Sequence, residues 1–417
     1  MRAGTATIDA RIDGQGATLR SVNAVRCALV LGLIAFQSVQ VSESYSRIAG
    51  TALWVLPGWC VAALFALAGF TAMRSVDRNG LTTAAVRTAT RFVPALVLAV
   101  VATAYGLGTA VTAESRRSYL LDGDVASYLL NILGVIRRTL PGVFQFNPAA
   151  EIVNAIIWIV PIAYLAAAIL AVGAAMPAWR SRLLGGIGAG LAAVGLGLLL
   201  ADTDLGSPDG LVALILAGRG LCALLCFVAG ALCYGWRRAV PIDGRVAGLA
   251  CIVLMVVAIV GDQSWLDNAL ASIATAVPIA YVAIYVCSLP WPLRHWAPLA
   301  EPVLWRMLLL AYPIQQLWIA IGPNRQNGVV NLVLSLPVIV LVAVAFWLIE
   351  RRALCRFLPS AAPPFRMPPR RPLSAGRLVD HARTAVPIVA IALLVVLLVL
   401  AALAMTMFAM QRDAGGA

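Results

Sequence analysis

Eleven apolar runs of about twenty residues each follow one another along this chain, at residues 22–41, 51–73, 92–113, 152–173, 183–200, 210–234, 247–262, 268–288, 302–321, 329–349 and 386–409. About 20 predominantly apolar residues are what a helix needs to cross the hydrocarbon layer of a bilayer. The pattern therefore predicts an all-α polytopic membrane protein, with the lipid bilayer as its solvent. Hydrophobic residues make up 62% of the chain, charged residues 12%, and the mean hydropathy is +0.92, which excludes an ordinary soluble globule.

The charges then set a topology. All basic residues are arginines, and most fall in every second connection: Arg11 and Arg20; Arg74, Arg78, Arg87 and Arg91; Arg180 and Arg182; Arg237, Arg238 and Arg245; Arg294; Arg351, Arg352 and Arg356. The alternate connections hold Glu43, Asp122, Asp124, Asp202, Asp204, Asp209, Asp262 and Asp267. Cytoplasmic loops carry the arginine excess, so the pattern predicts a multi-pass protein of a plasma membrane with a cytoplasmic N-terminus. The exceptions are Arg116, Arg117, Arg137, Arg138 and Arg325. The net charge of +13 is thereby spread over short loops rather than gathered on one polar domain, and no nucleic-acid partner is expected. The first twenty residues contain no apolar run, so the first span is expected to act as its own insertion signal.

That first span carries two polar residues. Arg26 and Gln37 are eleven positions apart, which puts them on one helix face about 16 Å apart along the axis. Two other features break the helix-and-loop order. The connection from about Thr112 to Glu151 is long enough to carry or cover a site, and the stretch from Pro359 to Pro372 reads as a proline- and arginine-rich linker. The eight cysteines form no C-x-x-C pair, so no metal site is expected. Gly186, Gly188 and Gly190 open an apolar helix with no strand before it, and read as close helix packing rather than a dinucleotide fingerprint.

Several stretches together resemble the acyltransferase 3 family, whose members move acyl groups onto sugars and other extracytoplasmic acceptors. In that family's first helix an arginine is followed eleven residues later by a histidine; Arg26 matches the first, and Gln37 stands at the second. FALAGFTAMRS, Phe65 to Ser75, is similar to the second-helix signature, and Arg87, Arg91 and Pro94 in RTATRFVPAL to the basic motif of the third helix. LPGVFQFNPAAEIVNAIIW, Leu140 to Trp158, resembles the segment that ends NGSLWTLPYE in relatives, with Asn154, Trp158 and Pro161 kept and Ile159 and Ala163 in place of its threonine and glutamate. AYPIQQL, Ala311 to Leu317, resembles a tail signature, and Glu350 falls on the closing glutamate.

The resemblance covers residues 20 to 355 and implies a ten-helix core plus one extra C-terminal transmembrane helix. The organisation expected is a cytoplasmic segment 1–21, an acyltransferase-3-like domain 22–355, a linker 356–385, the extra helix 386–409 and a tail 410–417. It implies a bacterial inner-membrane enzyme that takes an acyl group, foremost acetyl, from acyl-coenzyme A and passes it to an extracytoplasmic glycan, with no bound cofactor. Under it, Arg87 and Arg91 hold the donor's phosphates, or else serve only as positive-inside signals. Arg26 and Gln37 occupy the catalytic positions, and Asn154 and Trp158 belong to the substrate site.

Gln37 can orient a hydroxyl but has no basic nitrogen with which to take its proton. Losing a general base typically costs about 10² to 10⁴ in rate. Glu151 is the one acid near a matching motif that offers a surrogate; its other reading is a helix-end charge. Arg219 falls about nine residues into its apolar run, where an ionised side chain marks a substrate-site candidate or a pair inside the bundle. The only histidines, His295 and His381, fall in the arginine-rich connections. Two alternatives stand beside the transferase: a catalytically inactive relative that binds donor or glycan, and a transporter, against which the lack of an internal repeat counts.

Overall fold

A computed structural model describes residues 7–8, 17–44, 51, 53, 55–175, 180–200, 214–215, 218–260, 269–289, 291, 297–322 and 327–357. Among them the protein is helical, with a single isolated bridge between Thr7 and Pro241. The long helices are α1 (Ala17–Gln40), α2 (Val55–Asn79) and α3 (Leu81–Val101); then α6 (Ile159–Ala175), α7 (Arg180–Leu200), α8 (Arg219–Gly235) and α9 (Gly244–Val260); then α10 (Ala269–Ser288), α11 (Ala297–Ile321) and α12 (Gly328–Phe357). Short helices α4 (Arg116–Leu121) and α5 (Gly123–Tyr128) lie in the long connection.

Seven of these helices are long and apolar enough to cross a membrane, and α6, α8 and α9 are apolar but shorter. This is a multi-pass, all-α arrangement. The predicted span at 386–409, the tail after it and the linker before it, apart from Arg356 and Phe357 at the end of α12, lie outside the described residues. The chain divides after Trp347; in the second unit the described residues are the end of α12, where Glu350 is buried.

The core of the first unit forms around α8, most of whose side chains are buried. It lies against α2 at a seam of two glycines. A Cβ on Gly69 would stand 2.1 Å from the Phe227 carbonyl oxygen, and one on Gly230 would stand 2.0 Å from that of Ala66. Without a hydrophobic drive between helices in lipid, small residues that let backbones approach are what hold such pairs together. Cys222 and Cys226 lie in the neighbouring α8–α10 contact, where Cys226 Sγ donates to the Ala276 carbonyl at 3.3 Å. The outer helices show the opposite pattern. On α9, Leu249, Ile252, Met255, Val256 and Ile259 are all exposed, a face suited to lipid.

α2 and α3 are joined by one residue, Gly80, whose φ of 79° favours glycine. α3 then widens into a π-helical segment, Ala102–Leu107, before Gly108–Val111 closes it. The Ala104 carbonyl in that segment accepts a hydrogen bond from the Tyr119 hydroxyl at 2.7 Å. A Cβ on Gly108 would meet that hydroxyl at 1.9 Å, so the tyrosine of α4 fits only over glycine.

Several spans begin elsewhere than the apolar runs suggest. α1 starts at Ala17 and α3 at Leu81, each several residues early. The fourth run was expected to be helical from residue 152, but α6 begins at Ile159. Residues 152–158 follow a turning path because side chains take over the work of backbone pairing: Asn154 donates to the Leu309 carbonyl at 3.0 Å and accepts from the Ile156 amide at 3.2 Å.

Candidate functional site

α1 is bordered by α2, α10 and α11, and its polar stripe has two ends. At the first, the Arg26 guanidinium donates to Thr71 Oγ1 at 2.6 Å and to the Leu67 carbonyl at 3.2 Å. Thr71 donates its own proton to that same carbonyl at 2.7 Å. The charge is thus held by a threonine and a carbonyl of the FALAGFTAMRS stretch, one turn apart on α2. Glu301 and Arg91 lie within electrostatic reach of it.

Arg91 pairs with Glu301 at 2.9 Å, with the arginine side chain 63% exposed. An exposed pair of this kind contributes about 0–1 kcal/mol and is readily exchanged for another anion. Arg87, one turn earlier, is half-buried and makes no ion pair among the described residues. Between them and the bundle, Phe92 stacks on Trp305 at 4.4 Å and meets Tyr164 edge-on at 5.9 Å. At this end Asp77 also joins Arg180 at 2.8 Å and Arg237 at 3.8 Å, so three of the arginine-rich connections share one end of the bundle.

The other end of the stripe is a buried cluster of amides and hydroxyls. Gln315 Nε2 donates to the Ile34 carbonyl at 2.8 Å, and Asn331 Nδ2 to the Gln315 carbonyl at 3.4 Å. Ser38 Oγ donates to the Gly328 carbonyl at 2.6 Å, tying α1 to the start of α12. Gln316 donates to the Ala149 and Ile152 carbonyls at 2.8 and 2.9 Å, and accepts from Asn147 Nδ2 at 2.8 Å. The irregular segment before α6 is therefore pinned onto α11 by Gln316, and again by Asn154 at the Leu309 carbonyl. Tyr312 packs beside it with Val41 and Ile319.

Three oxygens in this cluster have no partner among the described residues: Gln37 Oε1, Gln315 Oε1 and Asn331 Oδ1. The nitrogens of Gln315 and Asn331 face carbonyls, which accept only a donor, so for these two the network fixes the amide orientation and the free atoms are oxygens. Each buried acceptor left unpaired costs about 1–3 kcal/mol. Gln37, Gln315 and Asn331 are 4%, 0% and 4% exposed.

The remaining sequence candidates separate. Asn154 and Trp158 are buried, and both ends of the Asn154 amide are spent on backbone. Glu151 is exposed, with a left-handed φ of 63°, and hydrogen-bonds through its backbone to Phe144. It is not brought into the amide cluster. Arg219 stands at the first residue of α8, after Gly218, rather than nine residues into a helix. A Cβ on Gly220 would lie 2.2 Å from the Leu214 carbonyl, so the chain before α8 folds tightly against it. His295 and His381 lie outside the described residues. Sequence reasoning assigned no role to Thr71, Glu301, Asn147, Gln315, Gln316 or Asn331. For all but Glu301 the available signal was uncharged polar side chains in or beside apolar runs, which lipid tolerates only when they face protein.

Comparison of the chain with models of known protein families, with curated proteins and with solved structures finds no significant match in any of the three.

Proposed function

We propose that the protein is an integral membrane acyltransferase-like protein that passes an acyl group, foremost acetyl, from acyl-coenzyme A to a hydroxyl of an extracytoplasmic glycan. The observation that carries this reading is the convergence of separate motifs on α1. Arg26 is held by the α2 stretch, Arg91 and Glu301 stand beside it, and Gln37 shares a buried cluster with α11's Gln315. Stretches that are far apart in sequence and were singled out for one resemblance thus border one helix.

In this reading the Arg26 end faces the cytoplasm. Arg91 and Arg87, on adjacent turns of α3, receive donor phosphates, since a guanidinium offers paired donors that match a phosphate edge. Arg26 supplies a fixed positive charge further in. At the other end Gln37 Oε1 accepts the proton side of the acceptor hydroxyl and aims its oxygen at the thioester carbon. The carbon–sulfur bond breaks as the carbon–oxygen bond forms, and the hydroxyl proton leaves with the thiolate, whose pKa is roughly 8.5. No side chain of the cluster takes that proton, so turnover is slow by the measure of an enzyme with a general base.

A second reading, a non-catalytic relative that binds donor or glycan, is favoured by the same cluster: it holds amides and hydroxyls, while Glu151 is exposed and apart from it. Transfer of labelled acetyl from acetyl-coenzyme A in membranes expressing the wild type, Gln37→His and Arg91→Ala separates the two. Activity in the wild type that Arg91→Ala abolishes supports a working transferase. A silent wild type with an active Gln37→His supports the non-catalytic scaffold. Silence in all three counts against the transferase reading.

A further inference from the structure

Four arginines gather near one carboxylate where α2 finishes, α7 starts and the chain leaves α8. Asp77 holds Arg180 at 2.8 Å with one oxygen and Arg237 at 3.8 Å with the other. Arg237 is fixed from behind: its Cζ stands 4.5 Å over the Tyr234 ring, and its guanidinium donates to the Tyr234 carbonyl at 3.3 Å. Arg74 and Arg78, one turn apart on α2 and flanking Asp77 in sequence, lie within electrostatic reach of the same tyrosine. Arg74 is buried, whereas the Asp77 side chain is 38% exposed, so the group opens to the surface at its carboxylate. Asp243, further along the connection after α8, caps the Arg245 amide at 2.8 Å instead. Among the described residues, positive charge therefore exceeds negative at this place. A shared carboxylate and an aromatic face keep guanidiniums together that would otherwise repel one another.

We infer that this cluster is a binding site for an anionic phospholipid, whose headgroup phosphate takes the guanidinium edges of Arg180 and Arg237 that Asp77 now shares. Paired phosphate oxygens match the guanidinium fork as a carboxylate does. Lipid is the source because the arginines stand at the ends of membrane-spanning helices, and basic pockets between such helices are where lipid headgroups bind. α7 buries only 11% of its apolar stretch, so Arg180, its first residue, stands where lipid borders the bundle and acyl chains can lie along the helix. Trp236, next to Arg237, is 51% exposed, and an exposed indole at the end of a span belongs at headgroup level. The inference uses none of the residues assigned to acyl transfer.

The test is native mass spectrometry of the full chain in detergent, titrated with phosphatidylglycerol or with phosphatidylcholine. Saturable binding of phosphatidylglycerol in preference to phosphatidylcholine is expected, with about fivefold weaker affinity in Arg180→Gln and in Arg237→Gln, the share of one arginine beside an anionic lipid. Arg245→Gln, an exposed arginine outside the cluster, is expected to bind as the wild type does. Asp77→Asn breaks the same ion pairs as the arginine variants but removes the competing carboxylate, so it is expected to bind phosphatidylglycerol at least as tightly as the wild type. Weaker binding in Asp77→Asn overturns the proposal, because a merely structural ion pair would act alike from either side. Equal loss in Arg245→Gln overturns it in favour of general charge attraction, and absence of a preference for phosphatidylglycerol overturns it outright. Displacement of the lipid by inorganic phosphate or coenzyme A overturns it in favour of a soluble phosphate ligand.

Discussion

Gln316 of α11 binds the segment before α6 from both sides: its Nε2 donates to the carbonyls of Ala149 and Ile152, and its Oε1 accepts from Asn147. Gln315, its neighbour, holds only the Ile34 carbonyl through its side chain. Gln316→Leu leaves two carbonyls and one amide without these bonds, and is expected to destabilise by about 2–4 kcal/mol, more than Gln315→Leu. Thermal unfolding in detergent, with limited proteolysis of residues 134–158 as the local readout, checks the order of the two.

The α2–α8 seam predicts a sharp contrast among glycines. Gly69→Ala and Gly230→Ala place a methyl group against backbone carbonyls that cannot rotate away, and each is expected to cost about 1–3 kcal/mol. A Cβ on Gly32 of α1 meets nothing within 4 Å, so Gly32→Ala is expected to be neutral or slightly stabilising through helix propensity. Melting temperatures of the three variants test this directly.

Arg91 and Glu301 form an exposed pair, so Arg91→Ala is expected to leave stability within about 1 kcal/mol of the wild type. A loss of acetyl transfer in that variant, with an unchanged melting temperature, reads as a donor-site effect. A parallel loss of both would show that the pair is structural.

Tyr119 lies in the connection outside the predicted spans, and burial pushes its hydroxyl up to about 12. The folded state favours the neutral phenol, so the associated stability is present below the unfolded value of roughly 10 and is lost as pH rises from there through about 12. Stability is expected to fall between those values, and less steeply in Tyr119→Phe. That variant also loses the bond to Ala104 and is expected to be weaker by about 1 kcal/mol at neutral pH. Thermal unfolding across that pH range, beside an ultraviolet titration of tyrosinate, provides the measurement.

The helices were legible in the sequence because lipid demands long apolar runs, and that demand is local. The polar ends of α1 were legible too, since Arg26 and Gln37 stand out against their surroundings. What the sequence concealed is what depends on distant partners. The family resemblance places Asn154 and Trp158 at the substrate site. In space Asn154 is a turn-former, because Leu309, far away in sequence, offers it a carbonyl. Gln315 and Gln316 are adjacent, yet one faces α1 and the other the segment before α6, a division that follows from helix rotation and from which neighbours lie on each side. Glu151 is exposed and takes a left-handed φ, which no pattern of apolar residues announces.

Arg26 and Gln37 are rungs of a single unbroken helix, so their spacing along its axis behaves as a ruler of about 16 Å. Under the transferase reading a donor anchored by its phosphates near the first rung must deliver its acyl carbon to the second. Only a molecule that carries the acyl group at the tip of a long, slender arm can span that interval. Acetyl phosphate, in which the two groups are adjacent atoms apart, is too short to substitute for the coenzyme thioester, however reactive it is.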